Sequence, residues 1–162
     1  MPSTTTLSAD EAALREGFAA WSRALEAKDI DAMMANYADD IVLYDIKPPY
    51  VIRGKAAYRQ IWEQCLPYFP EKFLSEHRDI VIQISGDLAV AHGVHRLKPI
   101  EPADHPCGTT WFRFTGSFRK EGGRWIVTHE HISVPYNPMT EKVWYITDPD
   151  DLSAPEWGPR CE

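Results

Sequence analysis

Leu14, Phe18, Trp21 and Leu25 recur at three- and four-residue spacing, which places them on one apolar stripe of a helix. Ahead of them Ser8 and Glu11 have the spacing of a capping box, where hydroxyl and carboxylate satisfy the first free N–H groups. Asp29 stands where it would cap a short second helix carrying Met33, Met34 and Tyr37. The run Ile41-Val-Leu-Tyr-Asp-Ile46 then predicts a strand, stopped by Pro48-Pro49 and followed by a short strand over residues 50–53. Gly54 opens a third helix with Tyr58, Ile61, Trp62 and Cys65 on one face; Pro67 and Pro70 end it. From there the period drops to two, predicting strands near 75–85, 88–97, 109–120 and 124–134, with Gly122-Gly123 as a tight hairpin turn. Three helices followed by antiparallel strands is an α+β order.

Strand parity decides which side chains meet. On the last strand Val127, His129, His131 and Ser133 share one face, and Ile126, Thr128, Glu130 and Ile132 the other. On the strand before it Phe112, Phe114, Gly116 and Phe118 face one way, and Trp111, Arg113, Thr115 and Ser117 the other. Val90, His92 and Val94 align on the next, unless a bulge at Gly93 brings in His95. Helices laid over one face would enclose a pocket with aromatic walls and a few polar groups, the make-up of a small-molecule site. From Pro135 the prolines thicken (Pro135, Pro138, Pro149, Pro155, Pro159) beside acidic residues 148–151. Residues 1–136 therefore read as one domain and 137–162 as an extended arm, suited to wrapping a partner subunit.

Composition narrows the setting. At 162 residues, 44% hydrophobic and 25% charged, the chain fits a single globular domain that needs neither disulfide nor metal to fold. A net charge of -7 without any Lys/Arg run argues against nucleic acid or an anionic membrane as partner. Three cysteines, Cys65, Cys107 and Cys161, are odd in number and lack a C-x-x-C, which disfavours a disulfide framework. The first residues lack a basic, apolar secretory signal, and no apolar run reaches a membrane span of about 18 residues. The expectation is a soluble, reducing, cytoplasmic setting.

Asp45 is the first candidate for chemistry, an acid inside what otherwise reads as a buried strand. Buried carboxylates are costly unless paired or used, and one shifted toward neutrality suits general acid–base work at pH 7. Lys47 and Arg53 are close enough in sequence to make it a simple ion pair instead. His129 and His131 are the second candidates, since two imidazoles on one strand face must both find partners. Trp21, Trp62 and the phenylalanines serve equally as core or as cavity wall. Arg113 beside Trp111 suits an anion or an outward ion pair. His92, His129 and His131 with Asp45 would also suit a mononuclear zinc or iron site, although H-x-H on a strand is not diagnostic. No cofactor or metal is expected.

With these residues in view, the chain resembles the SnoaL-like branch of the nuclear transport factor 2-like superfamily, which includes ketosteroid isomerase. The resemblance runs from about Phe18 to Pro135, through Ala27-Lys-Asp-Ile-Asp31, Tyr37-Ala-Asp-Asp40 leading to Tyr44-Asp45, Gly54-Lys-Ala-Ala57, and Gly123-Arg-Trp125 leading to His129-Glu-His-Ile-Ser-Val-Pro135. It implies a cone, in which a curved, mostly antiparallel sheet wraps three helices around a deep apolar pocket, and a homodimer joined through the outer sheet face. It implies that Asp45 takes the place of the isomerase's catalytic base and Tyr37 that of a supporting tyrosine. The isomerase's oxyanion-donating tyrosine corresponds to Trp21, its second-shell tyrosine to Trp62, and its protonated aspartate to Gly116. Those replacements remove two strong donors, so steroid isomerisation itself is not expected.

The expected function is proton transfer on a small, largely apolar carbonyl compound: isomerisation, cyclisation, elimination or hydration. Asp45 would act as base, with His129 and His131 as polar partners and Trp21, Tyr37, Trp62, His92, Phe114 and Phe118 holding substrate. A non-catalytic ligand-binding or scaffolding dimer, and a His-ligated metal enzyme, are the alternatives, because a fold by itself specifies no activity.

Overall fold

The computed structural model describes residues 7–153. Helix α1 spans Ala9–Glu26, and the Glu11 N–H donates to Ser8 Oγ at 3.1 Å. Only half of the capping box forms, since Oε1 of Glu11 accepts from Arg15 Nε at 3.1 Å and Nη2 at 2.9 Å. Asp29 caps α2 (Ile30–Met34) by accepting the Ala32 N–H at 3.0 Å. Tyr37, expected on that helix, begins strand β1 (Tyr37–Tyr44) instead. Strand β2 (Ile52–Arg53) and α3 (Lys55–Cys65) follow, then a 3-10 turn at Leu66–Tyr68.

Four long strands complete the fold: β3 (Lys72–Ser85), β4 (Leu88–Glu101), β5 (Phe112–Glu121) and β6 (Arg124–Ser133). The sheet order is β2-β1-β6-β5-β4-β3, antiparallel throughout except for the parallel β1–β6 pair. Gly122 and Gly123 turn the β5–β6 hairpin with φ of 54° and 80°, the left-handed pair that matches strand twist. The result is the expected α+β architecture, a curved sheet with its helices on one face. The core divides in two. One cluster gathers Leu25, Met33, Met34, Ile41, Leu43 and Tyr58; the other gathers Leu14, Ala89, Ala91, Phe118 and Trp125.

Two bulges set what the inner face presents. Between β5 and β6, Ser117 pairs with His129 but Phe118 pairs with Val127, so Thr128 is an extra residue. Its hydroxyl donates to Ser117 O at 3.2 Å. Between β3 and β4, Arg78 pairs with Val94 and Val81 with His92, and Asp79 takes up the spare residue at φ 54°. A Cβ at Gly93 would lie 2.8 Å from Arg78 O and 3.2 Å from Asp79 O, both backbone atoms of that bulge. Gly93→Ala should therefore cost about 1–3 kcal/mol, because the obstructing atoms cannot rotate away. Urea unfolding of the variant checks this.

After β6, β7 (Tyr136–Asn137) and β8 (Lys142–Val143) form a small hairpin. The chain then returns to its own domain. The Trp111 N–H donates to Ile146 O at 2.8 Å, the Ile146 N–H to Thr110 Oγ1 at 2.9 Å, and Arg78 pairs with Asp150 at 2.8 Å. Within the described residues this arm folds against its own subunit; Pro155, Pro159 and Cys161 lie outside them. Among the described residues no helix is long and apolar enough to cross a membrane.

Candidate functional site

Between helices and sheet lies a cavity of about 320 Å³, at the lower end of the usual range for small-molecule sites. Phe18 and Trp21 of α1 and Phe112, Phe114 and Phe118 of β5 form aromatic walls. Ala13, Ala32, Gly123 and Arg124, all exposed, also line it. Gly17, in the middle of α1, lines the cavity, and a Cβ there would meet nothing within 4 Å. Glycine inside a helix costs roughly 0.5–1 kcal/mol relative to alanine, so the missing methyl leaves room in the cavity at the helix's expense. Gly17→Ala should raise the thermal midpoint by about 2–4 °C in a calorimetric scan.

The sheet register sorts the expected site residues into two groups. Trp21, Tyr37, Phe114 and Phe118 do line the cavity. His129 and His131 do not, because the Thr128 bulge reverses parity: Val127 and Glu130 share the inner face, and the two histidines face outward. There the Nδ1–H of His129 donates to Val42 O at 2.7 Å, and both rings stand edge-on to Tyr44 at 5.2 and 5.6 Å. His92 is also outside and exposed, since regular alternation on β4 turns Ala89, Ala91, Gly93 and His95 inward. No bulge on β4 was needed to bring His95 in; the bulge lies on β3. Trp62 is a partly buried neighbour of Trp21, with ring centres 6.0 Å apart, rather than a wall. The indole N–H groups of Trp21 and Trp62 are both buried without a hydrogen-bond partner among the described residues.

Asp45 lies just past the end of β1, its side chain only 13% exposed, with Oδ2 4.0 Å from Lys47 Nζ and Oδ1 accepting the Ile46 N–H at 2.7 Å. It is absent from the cavity wall. The proposed pairing of Asp45 with His129 fails for a geometric reason, since Val42 and His129 stand side by side on the outer face while Leu43 and Glu130 pair on the inner one. Asp45, His92, His129 and His131 are not gathered into a metal set, and among the described residues no group of three His, Cys, Asp or Glu side chains is placed to hold an ion.

Glu130 is the acid that reaches the cavity. Burial drives its carboxyl up to about 7, and the nearby Asp45 charge adds to the rise. Opposing this, the Tyr37 hydroxyl donates to Glu130 Oε2 at 3.0 Å and favours the ionised form. Tyr37 and Tyr58 pack with ring centres 5.5 Å apart. Burial first, then the Glu130 charge, hold both phenols far above their ordinary range, so both stay protonated. A carboxyl half ionised near neutrality and steered by a fixed donor can both accept and return a proton.

A second polar group lies where β3 and β4 meet α1. His77 and His95 both line the cavity, and burial lowers them to about 4 and about 3 respectively, with His77's presence also pressing His95 down. Sequence parity missed Glu130 because a one-residue bulge leaves no mark in an alternating pattern. The signal for His95 was present in the row of small residues Ala89, Ala91 and Gly93 leading to it, a row that suits the face beneath a helix.

A curved sheet over helices enclosing an apolar cavity with a buried acid defines the cone-shaped class of nuclear transport factor 2-like domains. The chain belongs to the SnoaL-like domain family, whose model matches residues 14–137. It is similar to a nuclear transport factor 2-like protein of unknown function from Pseudomonas putida, with 33% identity over 90% of this chain and 97% of that one and a TM-score of 0.77. A protein of unknown function with a cystatin-like fold from Nostoc punctiforme shares the fold at 20% identity and a TM-score of 0.67, covering 81% of this chain and 96% of that one. A ketosteroid isomerase-like protein from Erwinia carotovora shares it at 21% identity and 0.61, covering 78% and 97%. Among curated proteins none matches the chain.

Proposed function

We propose that this protein is an enzyme that moves a proton on a small, largely apolar carbonyl compound, with Glu130 as the base. The observation that carries the reading is a cavity-facing carboxyl at about 7, held by the Tyr37 hydroxyl 3.0 Å away. Glu130 takes a proton from the carbon beside the carbonyl, the C–H electron pair becomes an enolate, and the same carboxyl returns the proton to another carbon. Trp21 contributes its ring to the cavity wall, while its indole N–H lies sealed within the packing, without a partner among the described residues. The aromatic walls exclude water, which would otherwise compete for each of these contacts. Likeness to a ketosteroid isomerase-like protein agrees with this chemistry but extends to the fold alone.

Deuterium exchange tests the reading directly. Neutral ketones sized to the cavity, incubated with the protein in deuterated buffer, should gain deuterium beside the carbonyl, read by proton NMR. Exchange no faster than in buffer alone, across cyclic and aryl ketones, would defeat it. Asp45 then acts at a distance, its charge disfavouring the Glu130 carboxylate. Asp45→Asn should move the rising limb of the pH–rate profile to lower pH while leaving the plateau rate within about threefold, as expected of a residue that tunes the base without replacing it.

The outer face favours one further reading, a dimer. Two registers across the sheet, Tyr44–His131–Thr115–His92–Val81 and Val42–His129–Ser117–Val90–Gln83, carry no acid, lysine or arginine. A second copy of the chain suits this uncharged, partly apolar face. Light scattering should give twice the monomer mass, and Val90→Glu should halve it.

A further inference from the structure

Ser22 and Ser75 join the two inward histidines into one hydrogen-bonded chain. Ser22 Oγ lies 3.1 Å from His77 Nδ1 and 3.1 Å from Ser75 Oγ, which in turn lies 2.9 Å from His95 Nε2. Both serines are buried, and the Ser75 N–H is occupied by Glu26 Oε1 at 2.8 Å. The ring centres of His77 and His95 are 4.5 Å apart, boxed by Phe18, Trp21 and Phe114. The other ring nitrogens, Nε2 of His77 and Nδ1 of His95, have no hydrogen-bond partner among the described residues. Both rings line the cavity, and neither of these nitrogens is among the fully buried side-chain atoms left without a partner.

Proton counting fixes what these two nitrogens offer. Each serine hydroxyl carries one proton, so a chain satisfied from end to end runs in one direction. If the Nε2–H of His95 donates to Ser75, then Ser75 donates to Ser22 and Ser22 to Nδ1 of His77. Neutral His77 then shows Nε2–H to the cavity while His95 shows a bare Nδ1. Reversing the chain exchanges the two roles. In either direction the cavity sees one donor beside one acceptor.

We propose that His77 and His95 form a binding subsite for a neutral ligand hydroxyl, which accepts from one imidazole and donates to the other. With the ring centres 4.5 Å apart, one oxygen seated beside both rings would serve the two nitrogens through hydrogen bonds of about 2.7–3.0 Å. An ether or ketone oxygen satisfies only the donor, and a carboxylate would bring an unpaired charge to two neutral rings. The ligand class is thus a neutral, largely apolar compound with a hydroxyl at one end and, at the Glu130 end, the carbonyl of the proposed reaction. The subsite rests on the cavity being a small-molecule site and not on Glu130 being the base.

The test uses 2-naphthol and its methyl ether, 2-methoxynaphthalene, titrated into the full-length protein by calorimetry, with the imidazole nitrogen resonances of His77 and His95 followed by NMR. The naphthol should bind about tenfold or more tightly than the ether, the worth of one well-made hydrogen bond, and should move both histidine signals. Ser75→Ala and, independently, Ser22→Ala interrupt the chain and should reduce that preference to within about twofold while leaving ether binding in place. Equal binding of the two probes, or a preference that survives in both serine variants, overturns the hydroxyl subsite and leaves the cavity's role intact. Binding of neither probe overturns the subsite together with the small-molecule reading on which it rests.

Discussion

Glu130→Gln should lower turnover by about 10²–10⁴-fold, the usual worth of a positioned general base, while ligand affinity changes by no more than a few-fold. The amide keeps the size of the carboxyl and can still accept from Tyr37, now 3.0 Å from Oε2, so the cavity keeps its shape. What it loses is a basic oxygen. In the parent the ionised form does the work, so the rate should rise with pH through about 7 and level off above it. The residual rate of the glutamine variant should lack that limb. Tyr37→Phe should act differently. Removing a donor that favours the carboxylate moves the limb to higher pH, because burial and the Asp45 charge then act unopposed. Steady-state rates of both variants from pH 5 to 9, with binding measured separately, distinguish a lost base from a lost contact. A variant that weakened binding and turnover in proportion would mark Glu130 as a binding group only.

Most of the fold was legible because its main elements are announced by strong local signals: helical spacing on α1, the Asp29 cap, the Gly122-Gly123 turn and sustained alternation on four strands. The site was legible only in part, and the residues show why. Phe112, Phe114, Gly116 and Phe118 run on a regular strand; parity put all four on one face, and that face lines the cavity. Parity counted from Val127 failed one residue later, because Thr128 bulges and hands the inward position to Glu130. A bulge depends on how the partner strand curves, and the sequence of one strand does not contain that. Asp45 was singled out as an acid in an apolar run, and the run does end there; the strand stops at Tyr44 and the side chain turns toward Lys47. His77 drew no attention because it precedes the β3 bulge, which alone keeps it on the inner face with Ser75.

Stability should pass through a maximum near pH 6.5, set by three buried groups that act in opposite senses. His77 and His95 fall from an ordinary 6.5 to about 4 and about 3 on folding. Below 6.5 the unfolded chain takes up both protons while the folded chain refuses them, so each histidine's contribution, complete above 6.5, is lost as pH falls toward its folded value. Glu130 does the reverse. Its carboxyl rises from 4.5 to about 7 on folding, so its contribution is complete below 4.5 and is lost as pH rises toward 7. Between pH 4.5 and 6.5 two protons favour the unfolded state and one the folded state. The net is one, or a slope of about 1.4 kcal/mol per pH unit. Glu130→Gln removes the opposing proton, so the slope should double to roughly 2.7 kcal/mol per unit, and the variant should be more stable than the parent by about 3 kcal/mol above pH 7. His77→Gln in the parent should instead bring the slope near zero over the same interval, one histidine then balancing one glutamate. Urea unfolding at half-unit pH steps measures all three slopes. Parallel curves for parent and Glu130→Gln would mean that Glu130 titrates alike in the folded and unfolded chain. The carboxyl would then lack the raised proton affinity on which its role as base depends.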